Sequence, residues 1–132
     1  MASIFTKIVN GEIPCYKIAE TPEYLAFLDI RPLHKGHTLV IPKQEIDYYF
    51  DLDDETLSGL MLFAKRVAKA IKSAIPCNRI GVAVVGDEVP HAHVHLIPFQ
   101  TVRDMLFTNT PLNFSPSEME AIAASIRAHF PS

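Results

Sequence analysis

His91-Ala92-His93-Val94-His95-Leu96-Ile97 packs three of the chain's six histidines into five residues. Side chains of an extended strand alternate between faces, so His91, His93 and His95 are expected on one side and Ala92, Val94 and Leu96 on the other. The result is a row of imidazoles backed by core. Packing does not ask for such a row, because a buried imidazole needs polar partners. A lone histidine is ordinarily structural or solvated; three at alternate positions point to chemistry.

Two chemistries use a row of this kind. A strand-based metal hydrolase would share a cation among three ligands, with carboxylates behind them. No Asp or Glu is interleaved with these histidines, which weakens that reading. Nucleophilic catalysis instead asks one neutral imidazole to attack phosphorus while a neighbour fixes its tautomer. The remaining rings then donate hydrogen bonds to the phosphate oxygens.

Upstream of the row, Ile80 to Val85 reads as another strand, joined to it by Gly86-Asp87-Glu88-Val89-Pro90. Before that, Leu57, Leu60, Met61, Ala64, Val67, Ala68 and Ile71 recur at three- and four-residue spacing and predict one apolar stripe of a long helix. Asp53, Asp54 and Glu55 suit its positive end, and Pro76 closes it. Earlier still come a β-branched run, His37 to Ile41, and a hairpin of Tyr16–Glu20 with Tyr24–Asp29. Ile4-Phe5 and Ile8-Val9 predict a brief opening helix stopped at Asn10-Gly11. Downstream, Ser115-Pro116-Ser117-Glu118 carries an N-cap serine, a proline at N1 and a glutamate at N3. Met119, Ile122, Ala123, Ile126 and Phe130 of that last helix should face the sheet. The expected class is α+β: about five strands, mainly antiparallel, with a long central and a C-terminal helix.

The 132 residues fit one domain spanning 1–132. A formal charge of −3 argues against a general nucleic-acid binder, whose surface is usually basic. Cys15 and Cys77 stand far apart outside any CxxC spacing, so they read as incidental thiols. No run approaches a membrane span and no secretory signal opens the chain, so no membrane partner is expected and the cytoplasm is the expected address.

The row resembles the His-φ-His-φ-His-φ-φ signature (φ apolar) of the histidine triad (HIT) family of nucleotide hydrolases and transferases. Ser3 to Val9 with Gly11-Glu12-Ile13-Pro14 is similar to that family's opening helix and turn. Leu25 to Ile30 is similar to its ribose-binding strand, and Gly36 to Lys43 to the strand that follows. The resemblance implies His93 as nucleophile, His95 and His37 on the phosphate, and His91 orienting the nucleophile. It implies Asp29 on both ribose hydroxyls, and a base slot lined by Ile4, Phe5, Ile8, Phe27, Leu28 and Ile30. For each of these apolar residues, ordinary core is an equal alternative. His34 and His129 fall outside the motifs and read as surface residues.

A HIT-like hydrolase cleaving purine nucleotides at the α-phosphate, as a nucleoside phosphoramidase, is the implied activity, with a homodimer as the implied assembly. Cleavage of dinucleoside polyphosphates, or nucleotide binding with little turnover, are the alternatives. Two departures stand out. Many relatives hold a structural zinc at positions that here read Ser3, Thr6, Glu45 and His91, a set that predicts no zinc; no other cofactor is implied. The loop before the row is short and carries Asp87 and Glu88 where phosphate-binding donors are usual. These acids are expected to point to solvent or to serve a cationic leaving group.

Overall fold

The computed structural model describes residues 2–131. Five strands form one sheet in the order β1-β2-β3-β5-β4, every neighbouring pair antiparallel. They are β1 (Lys17–Glu20), β2 (Tyr24–Leu28), β3 (Thr38–Pro42), β4 (Arg79–Ala83) and β5 (Val94–Phe99). Helix α1 (Ile4–Val9) covers one face, and α2 (Asp54–Ala74) and α3 (Pro116–Arg127) cover the other. The α+β class and the hairpin are as expected. The last strand is not: it begins at Val94 rather than His91.

Local chemistry explains the helix ends. The Asp53 side chain accepts from Thr56 N–H at 2.7 Å and caps α2. Ser115 Oγ accepts from Glu118 N–H at 3.1 Å while Glu118 Oε1 accepts from Ser115 N–H at 2.8 Å, the reciprocal box read from the sequence. Leu60, Ala64, Val67 and Ile71 of the α2 stripe are buried, and so are Phe63 and Ala70, which the spacing missed. Leu57, Met61 and Ala68 of the stripe are only half-buried, at its margins.

Strand alternation sorts β2 into two cores. Ala26 and Leu28 pack toward α2 and α3 with Val40, Val94 and Leu96. Leu25 and Phe27 pack toward α1 with Phe5, Leu39 and Ile41. The second, smaller core lies directly beneath the histidines. It anchors one wall of the site in rigid structure.

Candidate active site

β5 enters the sheet beside β3, with Val94 opposite Val40 and His95 opposite Leu39. Before Val94 the ladder stops, because its next bonds are taken elsewhere. Ala92 N–H donates to Ile46 O at 2.7 Å, and the His91 ring Nε2 donates to Pro42 O at 2.8 Å. Pro90 has no N–H to offer. The alternation survives this break: Ala92, Val94 and Leu96 lie in the helix-side core, while the three rings turn to the face under α1. His91 is fully buried, and only edges of His93 (7 % exposed) and His95 (8 %) reach solvent.

Hydrogen-bond partners assign a tautomer to each ring. His93 Nδ1 lies 2.7 Å from His91 O, an acceptor only, so Nδ1 carries the proton and Nε2 keeps its lone pair. His37 Nδ1 accepts from Leu33 N–H at 3.0 Å, which puts the proton on Nε2. That Nε2–H donates to His95 Nδ1 at 2.9 Å, so the proton of His95 sits on Nε2. Of the pair His93 and His95, one ring thus presents a lone pair at Nε2 and the other a proton. Burial, then the nearby His37 and His93, hold His95 down to about 3, and burial likewise lowers His37 and His91. These three rings are neutral at ordinary pH.

Two clusters gather side chains of the types that bind cations. Ligating atoms of Asp29, His37 and His95 lie within 4.8 Å of one another. A cation there would need the Nε2 lone pair of His37, whereas the Leu33 N–H places a proton on that atom. The second cluster is the set Ser3, Thr6, Glu45 and His91, which does converge. Glu45 Oε1 accepts from Ser3 N–H and Thr6 Oγ1, both at 2.6 Å, and Ser3 Oγ donates to His91 Nδ1 at 2.9 Å. Those bonds hold the Glu45 carboxyl at about 2. Two hydroxyls that spend their bonding on each other's partners, with no thiolate, do not fit a tetrahedral zinc.

Other expected site residues fall into three groups. Phe5 and Phe27 meet edge-on at 5.5 Å in the core beneath the row, with Ile8 half-buried against them. Asp29 follows β2, its Oδ2 3.5 Å from His37 Nε2 and its Oδ1 accepting from Arg31 N–H at 2.9 Å. Ile4 and Ile30 are exposed, at 49 % and 74 %. Leu28 is a correction: it points to the helix-side core, away from the histidines, because its neighbour Phe27 takes the site face. Asp87 and Glu88 are exposed and His129 is exposed, while His34 is half-buried, its Nδ1 bonded to Lys35 O. The sequence reading missed Phe107, whose ring lies 4.9 Å from that of His95. It stands just after a short 3-10 turn, outside any helical or strand period, so no local signal marks it.

An antiparallel sheet that lines one face with a row of buried imidazoles, their protons fixed by backbone and ring partners, defines a histidine-row fold. The HIT domain family matches residues 10–102. Adenosine 5'-monophosphoramidase hnt1 of Schizosaccharomyces pombe is 40% identical over 129 residues, covering 96% of either chain. A Hit-like protein from Bartonella henselae superposes with a TM-score of 0.84 at 32% identity, covering 96% of this chain and 95% of its own. A zinc-bound histidine triad protein from Mycobacterium smegmatis gives 0.81 at 29% identity, over 98% of this chain and 94% of its own. The chain belongs to the HIT family.

Proposed function

We propose that the protein is a purine nucleoside phosphoramidase that works through a nucleotidyl-histidine intermediate. The observation that carries this is the His93 ring: its Nδ1–H is tied to a backbone carbonyl, leaving Nε2 as a free lone pair at a solvent-facing edge. The 40% identity to an enzyme named for hydrolysing adenosine 5'-monophosphoramidate supports the substrate class. His93 Nε2 bonds to the α-phosphorus as the P–N bond breaks. The electron pair stays with the amine, which takes a proton from solvent. Water then attacks the same phosphorus as the P–Nε2 bond breaks; the electron pair returns to His93, the nucleoside monophosphate leaves, and the proton of the water passes to solvent.

Each neighbour has one task in that scheme. His95 donates Nε2–H to a phosphoryl oxygen, where negative charge develops, and His37 holds that donor tautomer. His91 stays inside and positions the nucleophile through its carbonyl. Asp29 offers two acceptor oxygens to the ribose hydroxyls, and Phe5, Phe27, Ile8, Ile4 and Ile30 form an apolar slot for the base. Asp87 and Glu88 remain in solvent or meet a cationic leaving group; Asp87→Asn with Glu88→Gln should then change the ranking of amines. No metal or organic cofactor takes part, and metal analysis should find zinc well below one per chain.

A second copy and an address complete the proposal. β4 is an edge strand that leaves Val82 54 % exposed, and Val82 shares its face with α2, where Leu62 is 64 % exposed. An unpaired apolar edge of this kind suits a homodimer. No helix among the described residues is long and apolar enough to cross a membrane, in keeping with the cytoplasmic setting we propose. The test of the chemistry is to quench the enzyme with labelled adenosine 5′-phosphoramidate and map the modified residue by mass spectrometry. Label on His93, and turnover abolished in His93→Ala, are expected. Label on another residue, or turnover that survives the substitution, rejects the scheme.

A further inference from the structure

Phe107 meets His95 edge-on, the ring centroids 4.9 Å apart and the planes at 75°, yet it stays 47 % exposed. His95 meets His93 at 5.0 Å, and His93 meets Phe5 at 5.1 Å. The four rings therefore follow one another from the side covered by α1 toward β4. Phe107 is held at its end of that series from both directions.

Upstream, Asp104 Oδ2 accepts from Gln100 N–H at 2.7 Å and Thr101 N–H at 3.2 Å, capping a 3-10 turn over Val102–Met105. Met105 of that turn seats against Gly81 of β4, where a β-carbon would run into its sulfur. Downstream, Asn109 Nδ2 donates to Arg103 O at 2.6 Å, and Leu112 N–H donates to Pro32 O at 2.7 Å. The segment is thereby tied to the loop between β2 and β3 that ends at His37. A ring so anchored and still half-exposed contributes little to the core. It does offer a wall to whatever occupies the space beyond His95.

That space has a defined use if His93 is the nucleophile, the reading on which this step rests. The nucleoside lies toward Phe5, Phe27 and Asp29, on the β2 side. Displacement at phosphorus sends the leaving group away from both the attacking nitrogen and the nucleoside, toward the far side of His95. We propose that Phe107 forms the leaving-group wall and selects amines that carry a flat apolar body over polyphosphates. A phenyl ring attracts an apolar group by edge and face contacts and by exclusion of water. It gives a polyphosphate neither charge nor hydrogen bond, while stripping water from its oxygens.

The test compares wild type, Phe107→Ala and Phe107→Leu on three substrates with the same adenosine 5′-phosphoryl group. These are the unsubstituted phosphoramidate, the N-benzyl phosphoramidate and diadenosine tetraphosphate. In Phe107→Ala the kcat/KM ratio of benzyl to unsubstituted substrate should fall about fivefold or more, within reach of one ring contact. The ratio of tetraphosphate to benzyl substrate should rise, with Phe107→Leu between the two proteins. Unchanged ratios, with all rates falling together, would mean that Phe107 only supports His95, and overturn the wall. A second arm does not depend on turnover: calorimetric binding of AMP and the N-benzyl phosphoramidate to His93→Ala, with and without Phe107→Ala. If wild type cleaves none of the substrates, the hydrolase reading fails, and this arm still decides. Selective loss of affinity for the benzyl ligand upholds the wall, and equal affinities overturn it.

Discussion

His37 and His95 differ from His93 in what their nitrogens touch, and in the proposed scheme that difference divides the labour. Leu33 N–H, His37 and His95 form a directed series of bonds that ends in an N–H aimed outward. His93 takes the opposite tautomer from a single carbonyl. Breaking the series at its middle tests it. His37→Ala removes the donor that holds His95 in place, so kcat should fall about a hundredfold, the size of one lost transition-state donor. Single-turnover kinetics should assign the loss to chemistry while KM changes little. A KM effect alone would make His37 a binding residue instead.

Capping and edge chemistry decide what the elements contribute. α3 depends on the Ser115–Glu118 box, since its twelve residues are marginal as an isolated helix. Ser115→Ala should destabilise the protein by about 1 kcal/mol, read as a shifted urea midpoint with an unchanged slope. β4 raises a different question, because its outer edge has no partner among the described residues. Light scattering should give wild type a mass near twice the 14.7 kDa chain, and Val82→Lys should shift it toward one. A monomeric wild type would remove the dimer from the proposal.

Acid should weaken the whole molecule through its buried rings. His95, His37 and His91 are neutral in the fold and below their ordinary range, whereas in the unfolded chain they bind protons below about pH 6.5. The unfolded state therefore gains protons first, and stability rises with pH through that window. For His95 the window opens below about 6.5 and reaches down to its folded value of about 3. Glu45 acts in the same direction but lower: its stabilising ionised form is complete above about pH 4.5 and is lost as pH falls through 2. Urea midpoints should decline steadily from pH 6.5 to 4, and His95→Asn should flatten the slope. A level profile in wild type would mean that the rings are charged in the fold.

Much of this was legible in the chain as written. Period two placed the imidazoles on one face, period 3.6 placed the α2 stripe with acids at its start, and the capping box of α3 stands in the sequence because it closes within three residues. Such features involve neighbours along the chain, so residue order determines them. Strand order, the side taken by Leu28, the late start of β5 at Val94 and the approach of Phe107 to His95 needed the folded molecule. The tautomers needed it too, since Leu33 N–H, Pro42 O and the fully buried setting of His91 exist for these rings only after distant segments meet. The family resemblance implied a nucleophile and its helpers, but a proton's place on a ring depends on partners that only three-dimensional packing supplies.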